Sequence, residues 1–457
     1  MATTLQLANE ITFDRPEESS SARTMARLYF LSFWAIVVTG AIRKWLLPGV
    51  NIVYLLQDFP IGIAYVYALW KGIFDRGYLF LGMVLLSVII LLQGLAQIIV
   101  SGLNVFVALV GFHNYLFYLP MLVVFPLSLT EKYRRNFIWW NLMLSIPMCL
   151  LAIAQATSPK TAWVNKTTLG DAAGVSGADV ARLSGTFNHV SFYALWVAMA
   201  VALCLGEWLL PVERRVIQKR WLLILCTFTV NICHLVSASR EAILLAVLAV
   251  IGALIAAVIT GSNRAILAII GICLLLPVGA GAAYVISPAE FNIVVDRFSG
   301  EGAQEGLTQR IQDGLIGFAT VPKFSLTGAG IGMGVDAAHL GSTDSYNFTY
   351  QLSEQDTIRN VMELGTPVGL LYILTRLGFI YGMIFLSMRM VRSRSSPHVL
   401  PMAFVLLGQT YQDLTRTATM TASQVMVGYA FILSAYYYPD TAMSLDSGAG
   451  DTFTRSV

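Results

Sequence analysis

Charged residues are scarce in this sequence. Asp, Glu, Lys and Arg make up 12% of its 457 residues, whereas hydrophobic residues make up 56%. A soluble domain carries about 25% charged residues, so the composition excludes an ordinary soluble protein. Apolar runs of about 20 residues, the length that the hydrocarbon core of a bilayer requires, recur along most of the chain. The sequence therefore predicts an all-α polytopic membrane protein.

Clustered metal ligands and nucleophile motifs are also missing. The five histidines are scattered without HxxxH or HExxH spacing, and the five cysteines lie inside apolar runs without a CxxC pair. No GxSxG or SxxK motif indicates a serine nucleophile. The net charge of +3 is too small to indicate a nucleic-acid partner. We therefore expect no metal, no cofactor and no nucleic acid.

A signal-peptide hydrophobic region is absent from the polar residues 1–24, so the first span should be an uncleaved anchor. A cytoplasmic N-terminus places most short Lys- and Arg-rich connections inside, as the positive-inside rule requires. We predict one transmembrane domain over 1–457, with cytoplasmic tails at 1–25 and 439–457 and a large outer loop at 288–360. The predicted spans, about twelve, are roughly 26–42, 51–70, 78–100, 105–129, 137–157, 187–208, 221–237, 242–260, 265–287, 361–391 as one bent segment, 398–413 and 418–438.

Several Lys and Arg residues lie on the predicted outer side, where the positive-inside rule does not expect them. Cations on the outer side suggest an anionic ligand there, because the bias alone would place them inside. The loop at 288–360 is much longer than an ordinary connection, and we expect it to be a folded, partly helical cap. The outward cations are Arg43, Lys44, Arg182, Arg240, Arg297, Arg310, Lys323, Arg359 and Arg416.

Arg240 is the clearest of these cations, because its SASRE segment joins two apolar runs within a few residues. Its planar guanidinium suits phosphate oxygens. The alternatives are an ion pair with Glu241 or snorkelling to the interface. For Arg43 and Lys44, anchoring at the interface beside Trp45 is at least as good an interpretation as ligand contact.

The stretch SEQDTIRNVMELGTPVGLLYILTR, residues 353–376, combines four charges with the start of an apolar segment. Helical spacing places Asp356, Arg359 and Glu363 on one stripe, where they can satisfy one another. Glu354 points elsewhere and is left as the candidate for chemistry. The alternative is a solvated helix start with a capping box.

Two further segments of the outer side have candidate roles. GAGIGMG, at 328–334, lacks the preceding strand and the Lys-Ser/Thr of a nucleotide loop, so its glycines favour close backbone approach instead. His189 stands at the outer start of a span and could line a cleft.

The order of these motifs resembles the O-antigen ligase and Wzy-type polysaccharide polymerase superfamily. The resemblance covers about residues 180–385: SxSRE, then a long outer loop with RIQDGLIGFATVPKFSLTGAGIGMG, then E-x-D-x-x-R-x-x-x-E-x-G; GAIRKW and QD at 40–58 support it. It implies a GT-C-like fold in the bacterial cytoplasmic membrane, with the site facing the periplasm. It also implies a lipid-linked oligosaccharide on undecaprenyl pyrophosphate as donor, a glycan acceptor and other polysaccharide-assembly proteins as partners.

The resemblance also assigns residues. Arg240 and Arg310 match the pyrophosphate-binding arginines, and Glu354 matches the reactive position, where ligases typically carry histidine. An acidic residue there favours exopolysaccharide polymerase members. Glu363 and Gly365 match the E-x-G element, with a structural role. Further candidates for substrate contact are Arg359, Asp356, His189, Arg182 and Arg43.

The chemistry fits these residue types. Fixed arginines can meet the negative charge that develops on a diphosphate leaving group without a metal. A carboxylate can accept the proton of the attacking hydroxyl. A secondary transporter of an anion would also need outward cations, but its site would lie near the bilayer midplane, often with internal repeats. A scaffold for an envelope complex would need no convergent Arg and Glu.

Overall fold

A computed structural model describes residues 19–167, 183–237, 239–263, 317–320, 325–334, 356–393, 396–412 and 419–439, with isolated helical positions between 266 and 292. The regular elements formed by these residues are helices, and no strand occurs among them. The α-helices are α1 Ser20–Ala41, α2 Asp58–Lys71, α3 Tyr78–Ser101, α4 Val105–Leu116, α5 Met121–Val124, α6 Glu131–Ala156, α7 Val190–Leu209, α8 Arg220–Val236, α9 Arg240–Thr260, α10 Asp356–Leu364, α11 Thr366–Arg392, α12 Val399–Gln412 and α13 Thr419–Tyr437. A π-helical turn Ile42–Leu46 follows α1, and a 3₁₀ helix Asn51–Gln57 precedes α2.

The prediction of a polytopic membrane protein is confirmed. Eight described helical segments are long and apolar enough to cross a membrane, and two further apolar helices, Arg220–Val236 and Val399–Tyr411, are shorter. The predicted span at 265–287 lies mostly outside the described residues. The finer prediction of twelve spans in a GT-C-like arrangement stays a prediction.

Helix boundaries follow local sequence signals. Ser19 caps α1 by accepting a hydrogen bond from the Ala22 amide, and Asn104 caps α4 in the same way. Gly102 ends α3 with a φ of +66°, a conformation that side chains other than glycine rarely adopt. These helices therefore begin or end where capping residues satisfy the terminal backbone groups.

The helix ends meet in two groups. At one end, here called the Lys44 end, Lys44 contacts Ser184, and the Gln155 side chain bonds Gly185. Tyr193 bonds the carbonyl of Cys233, so the end of α8 and the start of α9 belong to this end. The opposite end is here called the Arg134 end, and includes the Asp75–Tyr437 and Glu207–His398 contacts. Among the eight candidate spans, helix α7 is the most enclosed, since 83% of the residues in its most apolar stretch are buried. It packs against α8, α9 and α12.

Two predicted spans are interrupted. The bent segment at 361–391 breaks at Gly365, as expected, and separates the short α10 from the 27-residue α11. The segment at 105–129, predicted as one span, is one apolar helical segment at Val105–Ser128, and its α-helix is interrupted by a turn at residues 117–120. Pro120 cannot donate a backbone hydrogen bond, which contributes to this break.

Candidate functional site

Helix α10 carries a buried network of charges. Asp356 accepts hydrogen bonds from Arg359 on its own helix and from Arg376 of α11, the latter at 2.7 Å. Arg376 also donates to the carbonyl of Thr410 in α12. Asp356 and Arg359 are each 1% exposed. One carboxylate thus fixes the start of α10 against two neighbouring helices.

Glu363 forms the second half of this network. Its carboxylate accepts hydrogen bonds from the Tyr115 hydroxyl at 2.9 Å and from the Gly334 amide at 2.7 Å. Tyr115 also bonds Asn360 at 2.8 Å. Burial raises the pKa of the Glu363 carboxyl, whereas the nearby Arg359 charge and the donated hydrogen bonds act in the opposite direction. Glu363 therefore links α10 to α4 and to the glycine-rich segment.

Residues 325–334, here called the glycine loop, lie directly on the end of α10. Ala329 donates to the carbonyl of Met362 at 2.7 Å, and Thr366 donates to that of Ser325 at 2.8 Å. A Cβ atom on Gly328 would stand 2.4 Å from the Gly365 nitrogen. The expectation of close backbone approach by these glycines is confirmed.

Two glutamines of α3 hold the same loop from the other side. Gln93 donates to the carbonyls of Thr327 and Leu364, and Gln97 donates to that of Glu363. Gln97 also accepts from the Ile331 amide at 2.8 Å. Side-chain amides thus satisfy the backbone of an irregular segment that packs against a membrane helix.

These contacts decide between the two interpretations of the helix face that carries Asp356, Arg359 and Glu363. Asp356 and Arg359 pair, as the helical spacing predicts, whereas Glu363 is close enough to be influenced by the Arg359 charge but takes its hydrogen bonds from outside α10. The alternative of a solvated helix start is wrong for these three residues, since each is 1% exposed. Sequence reasoning missed Arg376 and Tyr115, because partners on other helices leave no local spacing signal. Neither residue had a predicted role.

Arg240 is the first residue of α9. The hydroxyl of Ser239 caps this helix by accepting from the Ala242 amide at 3.3 Å. The side chain is half-buried, and its Nη1 atom is fully shielded from solvent. Arg240 therefore lies at the Lys44 end.

The π-helical turn Ile42–Leu46 carries the other basic motif. The guanidinium of Arg43, in this turn, lies 4.8 Å from the ring centre of Tyr54, which is a cation–π geometry. Lys44 is 1% exposed, and its Nζ donates to the Ser184 hydroxyl at 3.1 Å and to the Gly185 carbonyl. Interfacial anchoring is therefore wrong for Lys44, whose ammonium points into the protein. π-Helical turns occur frequently at functional sites.

The charge of Lys44 meets only neutral oxygens. No carboxylate contacts it among the residues described by the structure. The carbonyl end of α1 stabilises a nearby cation by roughly 0.3–1 kcal/mol. Leaving a buried ion without a counter-charge costs several kcal/mol, on the order of 3–5. The helix end alone does not offset that cost.

The remaining predicted site residues divide into two groups. His189 is exposed and caps α7, where its Nδ1 accepts from the Ser191 amide at 3.2 Å. Glu354, Arg310 and Arg182 lie outside the described residues, as does most of the predicted cap at 288–360. Convergence of Arg240 with Arg310 therefore stays a prediction.

A second ionisable pair lies within the apolar spans. His113 of α4 contacts Asp58 at the start of α2, with 3.2 Å between Nε2 and Oδ2. Tyr118 donates to the other oxygen of the same carboxylate. Tyr65 of α2 bonds the carbonyl of Phe117 at 2.7 Å, inside the break that follows α4. Sequence analysis assigned no role to Asp58 or His113, although Asp58 belongs to the QD motif.

A cavity of about 250 Å³ opens at the Arg134 end. It mixes both signs of charge, including Arg134, Arg135, Glu131 and Glu213. Arg135 donates to two backbone carbonyls of the segment after α7, which ties it to the fold. This cavity is at the end opposite to α10. No group of three or more metal-binding side chains occurs among the described residues.

Comparison with known proteins yields no match. No family model matches the sequence, and no curated protein matches it. The resemblance to polysaccharide polymerases therefore rests on the order and spacing of its motifs.

Proposed function

We propose that this chain is a membrane glycosyltransferase that polymerises or ligates oligosaccharide units carried on undecaprenyl pyrophosphate. One observation carries the proposal. Arg240 opens α9 at the Lys44 end, and the α10 network lies at the same end, since Arg376 bonds Thr410 near the end of α12. Two motifs of the resemblance, over 100 residues apart in sequence, thus lie at the same end of the bundle.

The proposed reaction is a direct displacement. The acceptor hydroxyl oxygen attacks the anomeric carbon as the bond from that carbon to the diphosphate oxygen breaks. The bonding electrons leave with the lipid diphosphate, whose charge Arg240 and Arg310 stabilise. Glu354 takes the hydroxyl proton. A single displacement inverts the anomeric centre, and no metal takes part.

The α10 network supports this chemistry indirectly. Asp356 stands two residues after Glu354 and is fixed by Arg359 and Arg376. A base must be held within hydrogen-bond reach of the proton that it accepts. The ion pairs therefore hold the chain segment that carries the proposed base.

Substitution of Arg240 tests the proposal. Arg240→Ala should abolish polymer formation, and Arg240→Lys should restore little of it, because lysine lacks the bidentate fork. Arg220→Ala is the matched control, since Arg220 is the exposed first residue of α8 at the opposite end. Wild-type polymer yield from Arg240→Ala would remove the proposal.

Substitution of Glu354 tests the base. Glu354→Gln should retain donor binding and lose most turnover, by about 10²–10⁴-fold. If the protein is a polymerase, its deletion should leave lipid-linked repeat units unused. If it is a ligase, its deletion should leave long polymer unattached. Analysis of lipid-linked glycans in the deletion strain separates these two activities.

The second candidate function is a secondary transporter of an anion. The Asp58–His113 pair favours it, because ionisable residues inside membrane spans commonly serve ion or proton transport. The break after α4 is of the kind found in transporter helices. Anion uptake by proteoliposomes without glycan transfer would favour the transporter over the transferase.

A further inference from the structure

The π-helical turn after α1 presents hydrogen-bond donors that lack an oxygen or nitrogen acceptor in the described part of the chain. An ammonium group has three N–H donors, and Lys44 has two acceptors, the Ser184 hydroxyl and the Gly185 carbonyl. The indole Nε1 of Trp45 is buried and makes no hydrogen bond. Lys44 Nζ lies 4.9 Å from the ring centre of Trp45. Among the described residues, the Trp45 N–H thus has no acceptor, and the third N–H of Lys44 has no oxygen acceptor but only the face of the Trp45 ring.

The chemistry of these groups defines the missing partner. Both groups are donors, and the Lys44 group, when protonated, is a buried positive charge without a counter-charge in contact among the described residues. A metal ion or a second donor would be repelled. A neutral hydroxyl would satisfy the hydrogen bonds but not the charge. An anionic oxygen satisfies both.

The position of the turn indicates the class of anion. Lys44 and Trp45 lie in the last turn of the span Ser20–Leu46, where a membrane helix reaches the headgroup region. Phosphate is the anion that lipids present at this depth. Trp163 packs on Trp45 with 5.5 Å between ring centres, and covers the turn from the other side.

We propose that Lys44 Nζ and Trp45 Nε1 bind a lipid phosphate group at the Lys44 end. The phosphate belongs either to a polyprenyl diphosphate or to a phospholipid headgroup. The inference goes beyond the proposed function, since neither residue belongs to the set of Arg240, Arg310 and Glu354. It is also independent of whether the chain transfers a glycan.

The surrounding contacts allow the charge to be tested apart from the fold. Gly185 is also held by Gln155, whose side chain accepts from the Gly185 amide at 3.0 Å and donates to its carbonyl at 3.4 Å. The segment at 183–189 therefore keeps an attachment when Lys44 is changed. Lys44→Gln keeps two amide N–H donors on a side chain one bond shorter and removes the charge, together with its contact to the Trp45 ring. Ser184→Ala removes a partner of Lys44 and keeps the charge.

The experiment measures lipid binding by the full chain in neutral phosphatidylcholine nanodiscs. The probes are undecaprenyl diphosphate and phosphatidylglycerol, each titrated and detected by native mass spectrometry. Lys44→Gln should weaken binding of the recognised probe about tenfold or more, equivalent to about 1.4 kcal/mol. Ser184→Ala should stay within about twofold of the wild type, because the charge remains. Trp45→Phe keeps the ring and removes the N–H, and should weaken binding severalfold.

The two probes identify the source of the phosphate. Loss confined to undecaprenyl diphosphate assigns the site to the lipid diphosphate, and loss of phosphatidylglycerol binding assigns it to bulk phospholipid. Wild-type binding of both probes by Lys44→Gln and Trp45→Phe would overturn the inference. Equal losses in Ser184→Ala and Lys44→Gln would also overturn it, since Lys44 would then only attach the 183–189 segment.

The same binding assay separates this inference from the proposed function. It requires no turnover, so it can succeed when glycan transfer is absent. Normal polymer yield from Arg240→Ala, together with weakened lipid binding by Lys44→Gln, would reject the proposed function and leave the phosphate site intact. If Lys44→Gln does not fold, Trp45→Phe alone decides the outcome.

Discussion

Asp356 carries two ion pairs at once, and this explains why a carboxylate persists in an apolar setting. Its partners Arg359 and Arg376 come from different helices. Removing one member of a buried charge group leaves the others without compensation, which destabilises proteins strongly. Asp356 therefore stabilises the fold directly. It can affect the proposed chemistry only indirectly, through its position in the chain just after Glu354.

We expect Asp356→Asn to lower the free energy of unfolding by about 3–5 kcal/mol, because two buried guanidinium groups lose their counter-charge. Denaturation of the purified chain in mixed micelles measures this. Glu213→Gln, an exposed carboxylate, is the control and should change little. Normal stability of Asp356→Asn would show that solvent or lipid, not Asp356, compensates the arginines.

Asp58 and His113 form an independent residue pair. Their contact joins α2 to α4 beside the break at 117–120. In a double-mutant cycle with Asp58→Asn and His113→Gln, we expect a coupling free energy of about 0.5–3 kcal/mol. Unfolding measurements on the two single variants and the double variant give this value. Strict additivity would mean that the two side chains do not stabilise each other.

At the scale of elements, the glycine loop and α10 act as one unit. The backbone of residues 325–334 bonds α10 directly, and Gln93 and Gln97 attach it to α3. Gly328 has a φ of +73° and no room for a Cβ atom. The loop sequence is thus restricted by both conformation and space.

Gly328→Ala should destabilise the chain by about 1–3 kcal/mol, because the added Cβ meets backbone atoms at a strained φ. Gly82→Ala is the matched control. A Cβ there meets nothing within 4 Å, and alanine favours the α3 helix by up to about 1 kcal/mol. Thermal unfolding of both variants compares the two sites. Equal effects would contradict the packing described for the loop.

Sequence patterns predicted the elements better than their partners. Apolar length revealed the spans, and helical spacing revealed the pairing of Asp356 with Arg359, because both signals are local. The role of Arg376 depends on how α11 packs on α10, and that of Tyr115 depends on α4, so neither has a periodic signal. Lys44 resembled an interfacial anchor in sequence. Its burial arises only when the distant segment at 183–189 packs over it.

At the scale of the whole molecule, the cations divide between two ends. The Lys44 end holds Arg240 and the α10 network, and the Arg134 end holds Arg135 and a cavity of mixed charge. Arginines at the Arg134 end donate to backbone carbonyls that join α6, α7 and α13. Positive charge at that end thus serves both the predicted cytoplasmic orientation and the attachment of helices.

Orientation of the whole chain gives the last prediction. The charge bias predicts that the Lys44 end lies outside the cytoplasm, and the proposed phosphate and glycan chemistry requires that side. In a variant without its five natural cysteines, Thr161→Cys at the Lys44 end should react with a membrane-impermeant maleimide in intact cells. Val212→Cys, on the exposed turn after α7 at the Arg134 end, should react only after the membrane is opened.

Both labelled positions are exposed, so accessibility in the purified protein provides the control. Reaction of both cysteines in detergent, but only of residue 161 in cells, would establish the orientation. The reverse pattern in cells would place Arg240 and the α10 network in the cytoplasm. A lipid-linked glycan presented outside could not then reach them, and the proposed glycosyl transfer would be excluded on topology alone.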